Sequence, residues 1–237
     1  MAFVSFPSLL IFENNDYMVI QKPPFMSTLN DRSEELSVLE LAKTYCADAQ
    51  VCHRLDKETS GALLIAKNPE AYRHAAMQFE ARKVKKVYHA IVGVPRTFQK
   101  LEVDLPIKQT STGTVKIDKQ DGKAARSVFT TLELFKHYAL VECEILTGRM
   151  HQIRIHLASQ NASIAGDTTY KGKLPMLSEI KRKFKSSDDV EKPMILRVAL
   201  HAYSLCFEGL DGMAIEVVAP YPKDFDVFLK LLHRYDS

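Results

Sequence analysis

The sequence predicts a strand-rich chain of mixed α and β content, and three observations carry the prediction. Short apolar or alternating runs recur along its length, several of them paired across brief polar turns in the manner of hairpins. Helical spacing is confined to a few segments, at residues 37–45, 70–83, just after Gly148, and 223–233. With 237 residues, 46% of them hydrophobic and 26% charged, the chain can bury a full core as one large domain or two small ones.

Residues 9–12 and 17–22 are apolar runs flanking Glu13-Asn14-Asn15-Asp16, a hairpin that ends at Lys22-Pro23-Pro24 because proline cannot donate to a ladder. Ser37 is placed to cap a helix reaching Tyr45, with Glu40 at the reciprocal capping position. Val51 leads into His53-Arg54-Leu55-Asp56-Lys57-Glu58-Thr59-Ser60-Gly61, which opens at once onto the apolar strand Ala62-Leu63-Leu64-Ile65-Ala66. Pro69 suits the first turn of a helix over residues 70–83, with Ala71, His74, Ala75, Gln78 and Phe79 along one side. Arg82-Lys83-Val84-Lys85-Lys86 then brings four positive charges with no acid among them, and runs into a strand over 87–92 that carries Tyr88. Such runs are usually solvated faces, yet charge at this place would suit a nucleic-acid backbone.

Residues 95–105 read as a connection, and 108–126 as an exposed hairpin rich in lysine (Lys116, Lys119, Lys123). Alternation over 128–134 and 138–146 gives two strands around a turn at Phe135-Lys136-His137. Thr147-Gly148 should cap a helix carrying His151, Gln152, Arg154 and His156. Residues 171–192 read as a flexible basic insertion with a helical turn through 179–184; seven cations against four acids match the excess of the whole chain, which is +3. Strands at 205–207 and 213–218 pair across Gly209 to Gly212, and a C-terminal helix follows with Phe225, Phe228, Leu229 and Leu232 on one face. There is no internal repeat.

A net charge of +3 does not by itself announce a nucleic-acid binder, so the distribution of charge matters more than the sum. Cys46, Cys52, Cys143 and Cys206 form no C-x-x-C pair and fit reduced thiols. No basic, apolar leader opens the sequence, and no apolar run approaches the roughly 20 residues a membrane helix needs. The expectation is a soluble, cytoplasmic protein. His53, His151, His156 and His201 make no H-E-x-x-H pattern, so hydrogen-bonded structural histidines are expected and no metal.

The string from His53 to Gly61 puts Arg54 and Asp56 in a turn that opens onto a buried strand, a rigid place to hang a reactive group. An isolated R-x-D would most often be a structural pair. The whole string, H-R-L-D-x-x-T-S-G, closely resembles the active-site motif of the RluA-type RNA pseudouridine synthases. Three further phrases support the resemblance in the family's order: Lys22-Pro23, Lys86-x-Tyr88, and Thr147-Gly148-Arg149-x-His151-Gln152-Ile153-Arg154. Where the family continues Lys-Pro with a small residue and a glycine, this chain has Pro24 and Phe25.

The resemblance implies an α+β fold: one catalytic domain over residues 1–237, with a central, mixed, largely antiparallel sheet split by a cleft and flanked by helices and loops. The strand-rich pattern agrees with that fold without being sufficient to produce it. The implied reaction cleaves the glycosidic bond of a uridine in ribosomal or transfer RNA, turns the base and rejoins it through carbon 5, with no metal or cofactor. Asp56 matches the essential carboxylate, whether it attacks carbon 1′, attacks the uracil, or draws a proton to form a glycal. Tyr88 matches the tyrosine that stacks on the uracil and takes part in proton transfer, and Arg154 the arginine that pairs with Asp56 and keeps it ionised. Arg149, Arg54 and Lys22 are candidate contacts to phosphate or nucleotide, and His53 is placed near RNA. The pattern starts by Leu9, so no S4 module is expected ahead of it, and nothing demands more than a monomer.

Two other readings remain at this stage. One is an RNA-binding relative that has lost catalysis, against which the intact Asp56, Tyr88, Arg149 and Arg154 speak. The other is a carboxylate hydrolase of another glycoside, for which Glu58 is the only second acid close in sequence.

Overall fold

The computed structural model describes residues 5–30, 36–184 and 190–237. The strands are β1 (Leu10–Glu13), β2 (Tyr17–Lys22), β3 (Gln50–Val51), β4 (Ser60–Ala66), β5 (Lys85–Val92), β6 (Leu101–Asp104), β7 (Ile107–Gln109), β8 (Val115–Ile117), β9 (Arg126–Leu134), β10 (Ala139–Ile145), β11 (Leu200–Glu208) and β12 (Ala214–Val218). The helices are α1 (Val38–Tyr45), α2 (Pro69–Glu80), α3 (Gln152–Ser159), α4 (Leu177–Ile180) and α5 (Lys223–Tyr235). The class is α+β with mixed strand pairing, as expected. Contacts divide the chain into one unit of Met1–Val87 with His201–Pro220 and another of Tyr88–Leu200 with Tyr221–Ser237. No helix among the described residues is long and apolar enough to cross a membrane.

The first unit is built on β4, whose seven residues are all buried. That explains its unbroken apolar sequence, since a strand covered on both faces has no reason to alternate. β2 pairs antiparallel along one edge of β4, placing Lys22 opposite Gly61. The other edge is shared by β11, parallel at Ser60 and Gly61, and β3, antiparallel at Ile65 and Ala66. β1 closes the hairpin onto β2, and β12 pairs with β11. Tyr17, Val19, Leu64 and Ala66 pack with Ala71 and Ala75 of α2 and with Leu205, Phe207 and Val217.

Both helices of this unit start as their sequences dictate. Ser37 and Glu40 form the reciprocal cap of α1, and the Asn68 carboxamide accepts from the Ala71 amide ahead of Pro69. α2 ends at Glu80, three residues before the periodicity suggests, because Arg82 turns into the left-handed region at φ 58°.

The second unit orders its strands β5, β10, β9, β6. The stretch expected to be a plain connection contains β6, which pairs with β9 from Leu101 opposite Phe129 to Asp104 opposite Arg126. Four residues with two acids are too short and too charged to announce a strand, and those charges are what protects a sheet edge. β7 and β8 form the lysine-rich hairpin, where Lys108 reaches Asp121 at 2.7 Å and Lys116 reaches Asp118 at 3.3 Å. α3 begins only at Gln152, so the helix expected from Thr147-Gly148 starts later, after an irregular turn.

The basic stretch 171–192 is held at several points where it is described, and its helical turn is α4, earlier than 179–184. Ile180 is buried, Met194 donates its amide to the Pro175 carbonyl, and the Lys181 ammonium lies 5.3 Å from the Tyr235 ring centre. Lys185, Asp188 and Asp189 lie outside the described residues. α5 buries Phe225, Phe228, Leu229 and Leu232, the face its spacing predicts.

Gly61 meets the parallel start of β11 at φ 117°, and a Cβ there would sit 2.2 Å from the Ala202 carbonyl oxygen. Backbone cannot yield to that clash, and the dihedral itself penalises any side chain. Gly61→Ala should therefore destabilise the protein by about 3 kcal/mol or more, read as a fall in the denaturation midpoint.

Candidate functional site

The loop between β3 and β4 is fastened on every side. Lys22 closes β2 with its side chain fully buried, and its ammonium donates to the carbonyls of Pro23 and Met26 at 2.9 Å and of Lys57 at 3.0 Å. The Phe25 amide donates to the same Lys57 carbonyl at 2.8 Å, which requires Phe25 to take the left-handed conformation, φ 64°. The Thr28 hydroxyl donates to the Leu55 carbonyl and accepts from the Leu55 amide. Within the loop the Thr59 amide closes a turn on the Asp56 carbonyl at 3.0 Å. Asp56 thus sits between two residues whose backbones are pinned, with its side chain half-buried, while Arg54 is exposed.

Two histidines tie the loop to the sheet. His53 accepts the Leu64 amide at Nε2 (3.0 Å), and its ring packs on Phe79 with centroids 5.1 Å apart. Burial first and the Lys86 charge second push its pKa down to about 3. His201 donates from Nε2 to the Ala219 carbonyl, so the neutral ring accepts the Ser60 hydroxyl at Nδ1. Lys22 and His53, both expected near substrate, make bonds inside the fold. Lys22 has no exposed surface with which to meet a phosphate, and the His53 ring nitrogen is committed to the backbone of β4.

The second unit carries Tyr88, Arg149 and Arg154. Tyr88, in β5, is 8% exposed. Gln152 anchors the turn before α3: its carbonyl oxygen accepts from the Thr147 hydroxyl at 2.7 Å and the Arg149 amide at 3.0 Å. Its NH2 group donates to the Arg126 carbonyl and the Ser127 hydroxyl on β9. His151 enters the helix at φ 51°, with Nδ1 2.8 Å from the Tyr170 hydroxyl, which also accepts the Val115 amide. Arg154, on the buried side of α3, forms a two-pronged bond to Asp167, Nε to Oδ2 at 2.7 Å and Nη2 to Oδ1 at 2.8 Å. Its guanidinium lies 5.1 Å from the Tyr170 ring centre. Arg149 is exposed and bonds through Nε to the Ala124 carbonyl.

Asp167, the partner of Arg154, is not singled out by the sequence motifs. Its signal was there: a lone acid closing the apolar phrase Ile164-Ala165-Gly166, thirteen positions from Arg154. His156 is likewise a structural residue, bonded to Ser127 and the Leu105 carbonyl, with its pKa lowered chiefly by burial. No group of three or more His, Cys, Asp or Glu among the described residues could hold a metal ion.

Two outcomes follow from this geometry. Lys22→Met should remove the donor shared by the Pro23, Met26 and Lys57 carbonyls and cost on the order of 3 kcal/mol, seen as a lowered denaturation midpoint. His53 binds a proton near pH 6.5 in the unfolded chain but only near pH 3 when folded, so its contribution is complete above about 6.5 and is lost as pH falls toward 3. His53→Gln should flatten that part of the stability profile in denaturation curves recorded between pH 4 and 7.

A family model described as RNA pseudouridylate synthase matches residues 16–159. The chain is 32% identical to ribosomal large subunit pseudouridine synthase D of Blochmanniella floridana, with 97% of this chain and 74% of that protein covered. Its identity to the protein of the same name from Neisseria meningitidis serogroup A is 30%, over 98% of this chain and 63% of the relative. Among solved structures, human RNA pseudouridylate synthase domain containing 4 superposes with a TM-score of 0.74 at 25% identity, covering 96% of this chain and 95% of that one. Human RNA pseudouridylate synthase domain containing 1 gives 0.70, also at 25% identity, over 90% and 83% of the two chains. The chain belongs to the RluA-type RNA pseudouridine synthases, a family of isomerases.

Proposed function

We propose that this chain isomerises specific uridines of ribosomal or transfer RNA to pseudouridine as a single catalytic domain, with Asp56 as the essential carboxylate. The observation that carries the assignment is the loop itself. Within the family's motif, Asp56 is the half-buried acid between two backbone-pinned residues, and a rigid mount is what a reacting carboxylate needs. The ribosomal names of the relatives favour large-subunit RNA as the target.

The reaction conserves atoms and electrons. The N1–C1′ bond breaks, the base turns, C5 bonds to C1′, and the proton lost from C5 is balanced by one gained at N1. Asp56 assists the departure of the uracil from C1′ and its return through C5. Tyr88 offers its ring to the uracil and its hydroxyl to the proton at C5. Arg154, its guanidinium plane fixed by Asp167, is the candidate cation of the family's motif. Arg54 and Arg149, both exposed, are the candidate contacts to the RNA backbone. A stacked uridine must first leave its helix, so the target base is flipped into the site.

Tritium release from 5-tritiated uridine in RNA tests this directly. Asp56→Asn should lower the rate on the order of 10³-fold or more while RNA binding persists. Glu58→Gln should leave the rate within a few-fold; its selective failure would favour the two-acid hydrolase instead. Pseudouridine mapping of host RNA, comparing a gene deletion complemented with wild type or Asp56→Asn, would then identify the site.

A further inference from the structure

α2 ends in a Schellman motif: the Lys83 amide donates to the Gln78 carbonyl at 2.9 Å and the Arg82 amide to the Phe79 carbonyl at 3.2 Å. The position inside such a cap is left-handed and normally glycine, because any Cβ is penalised there. Here it is Arg82, at φ 58° and exposed. Lys83 and Lys85 flank it, also exposed. Among the described residues, no carboxylate lies within ion-pair distance of Arg82, Lys83 or Lys85, whereas Lys108 and Lys116 of the β7–β8 hairpin are both paired with aspartates. Lys86 differs from its neighbours, since it turns inward over the Phe79 ring at 5.6 Å with its pKa lowered by burial.

This cap adjoins the Asp56 loop within one unit. Phe79, whose carbonyl accepts the Arg82 amide, is the residue on which the His53 ring packs. We propose that the Arg82–Lys83–Lys85 turn is a phosphate-binding site for the RNA flanking the target uridine. The cap presents three uncompensated cations on rigid backbone, one side-chain layer from the loop of the proposed carboxylate. A strained, exposed arginine where glycine would fold more easily gives the turn a guanidinium that the backbone itself does not call for. The inference rests on the RNA-modifying reading of the Asp56 loop.

The test separates fold from binding by using a substitution with opposite effects on each. Arg82→Gly, introduced into the Asp56→Asn background, should leave the melting temperature equal to or above that of the parent. It should weaken binding of a target-length RNA several-fold and reduce the slope of log affinity against log salt by about 1. Arg82→Lys should keep the slope, and adding Lys83→Gln and Lys85→Gln should reduce it further. If Arg82→Gly binds RNA with unchanged affinity and slope, the turn is not a phosphate site. A lower melting temperature for Arg82→Gly would likewise overturn the proposal, by making Arg82 a structural residue. If the Asp56→Asn parent fails to bind RNA at all, the RNA reading of the site is overturned and the phosphate site with it.

Discussion

One buried charge organises the first unit. The Lys22 ammonium is taken wholly out of water, a cost tolerated only when polar partners surround it. Those partners are carbonyls from two separate stretches of chain, at Pro23 and Met26 on one side and Lys57 on the other. The Pro23–Met26 turn and the Asp56 loop are therefore fixed to each other through a single nitrogen. The left-handed Phe25 and the double bond between Thr28 and Leu55 extend that attachment. Positional accuracy at the proposed carboxylate thus derives in part from a lysine with no exposed surface.

Much of the fold was legible because its signals are local. The capping box at Ser37 and Glu40, proline at the start of α2, the two hairpins and the apolar face of α5 all depend on residues a few positions apart. What escaped depends on distant partners or backbone sign. α2 stops early because Arg82 is left-handed, and α3 starts late because Gln152 is spent on Thr147, Arg149 and β9. The motif singles out Asp56, Tyr88 and Arg154, but nothing in it announces the bonds that Lys22 and His53 make inside the fold. Nothing local distinguishes a buried lysine from an exposed one; the difference lies in which carbonyls the fold brings to it.

Charge shows the same limit. By sequence, the 82–86 run carries no acid, while the lysine-rich hairpin also holds Asp118 and Asp121. In three dimensions Lys108 and Lys116 of the hairpin pair with its own aspartates, which offsets part of their charge. Counting cations along the chain overstates one segment and understates the other.

The parallel seam of β4 with β11 also constrains the order in which the molecule can be made. Ser60 and His201 are bonded across 141 positions, and the core around β4 includes Leu205, Phe207 and Val217. At roughly 5–20 residues per second, a ribosome finishes the Asp56 loop on the order of ten seconds before the strand that roofs Gly61 emerges. Throughout that interval one edge of a mostly apolar strand waits without its long-range partner. The nascent chain is therefore exposed to mispairing at the segment that becomes its most buried, and chaperone protection would be most valuable there.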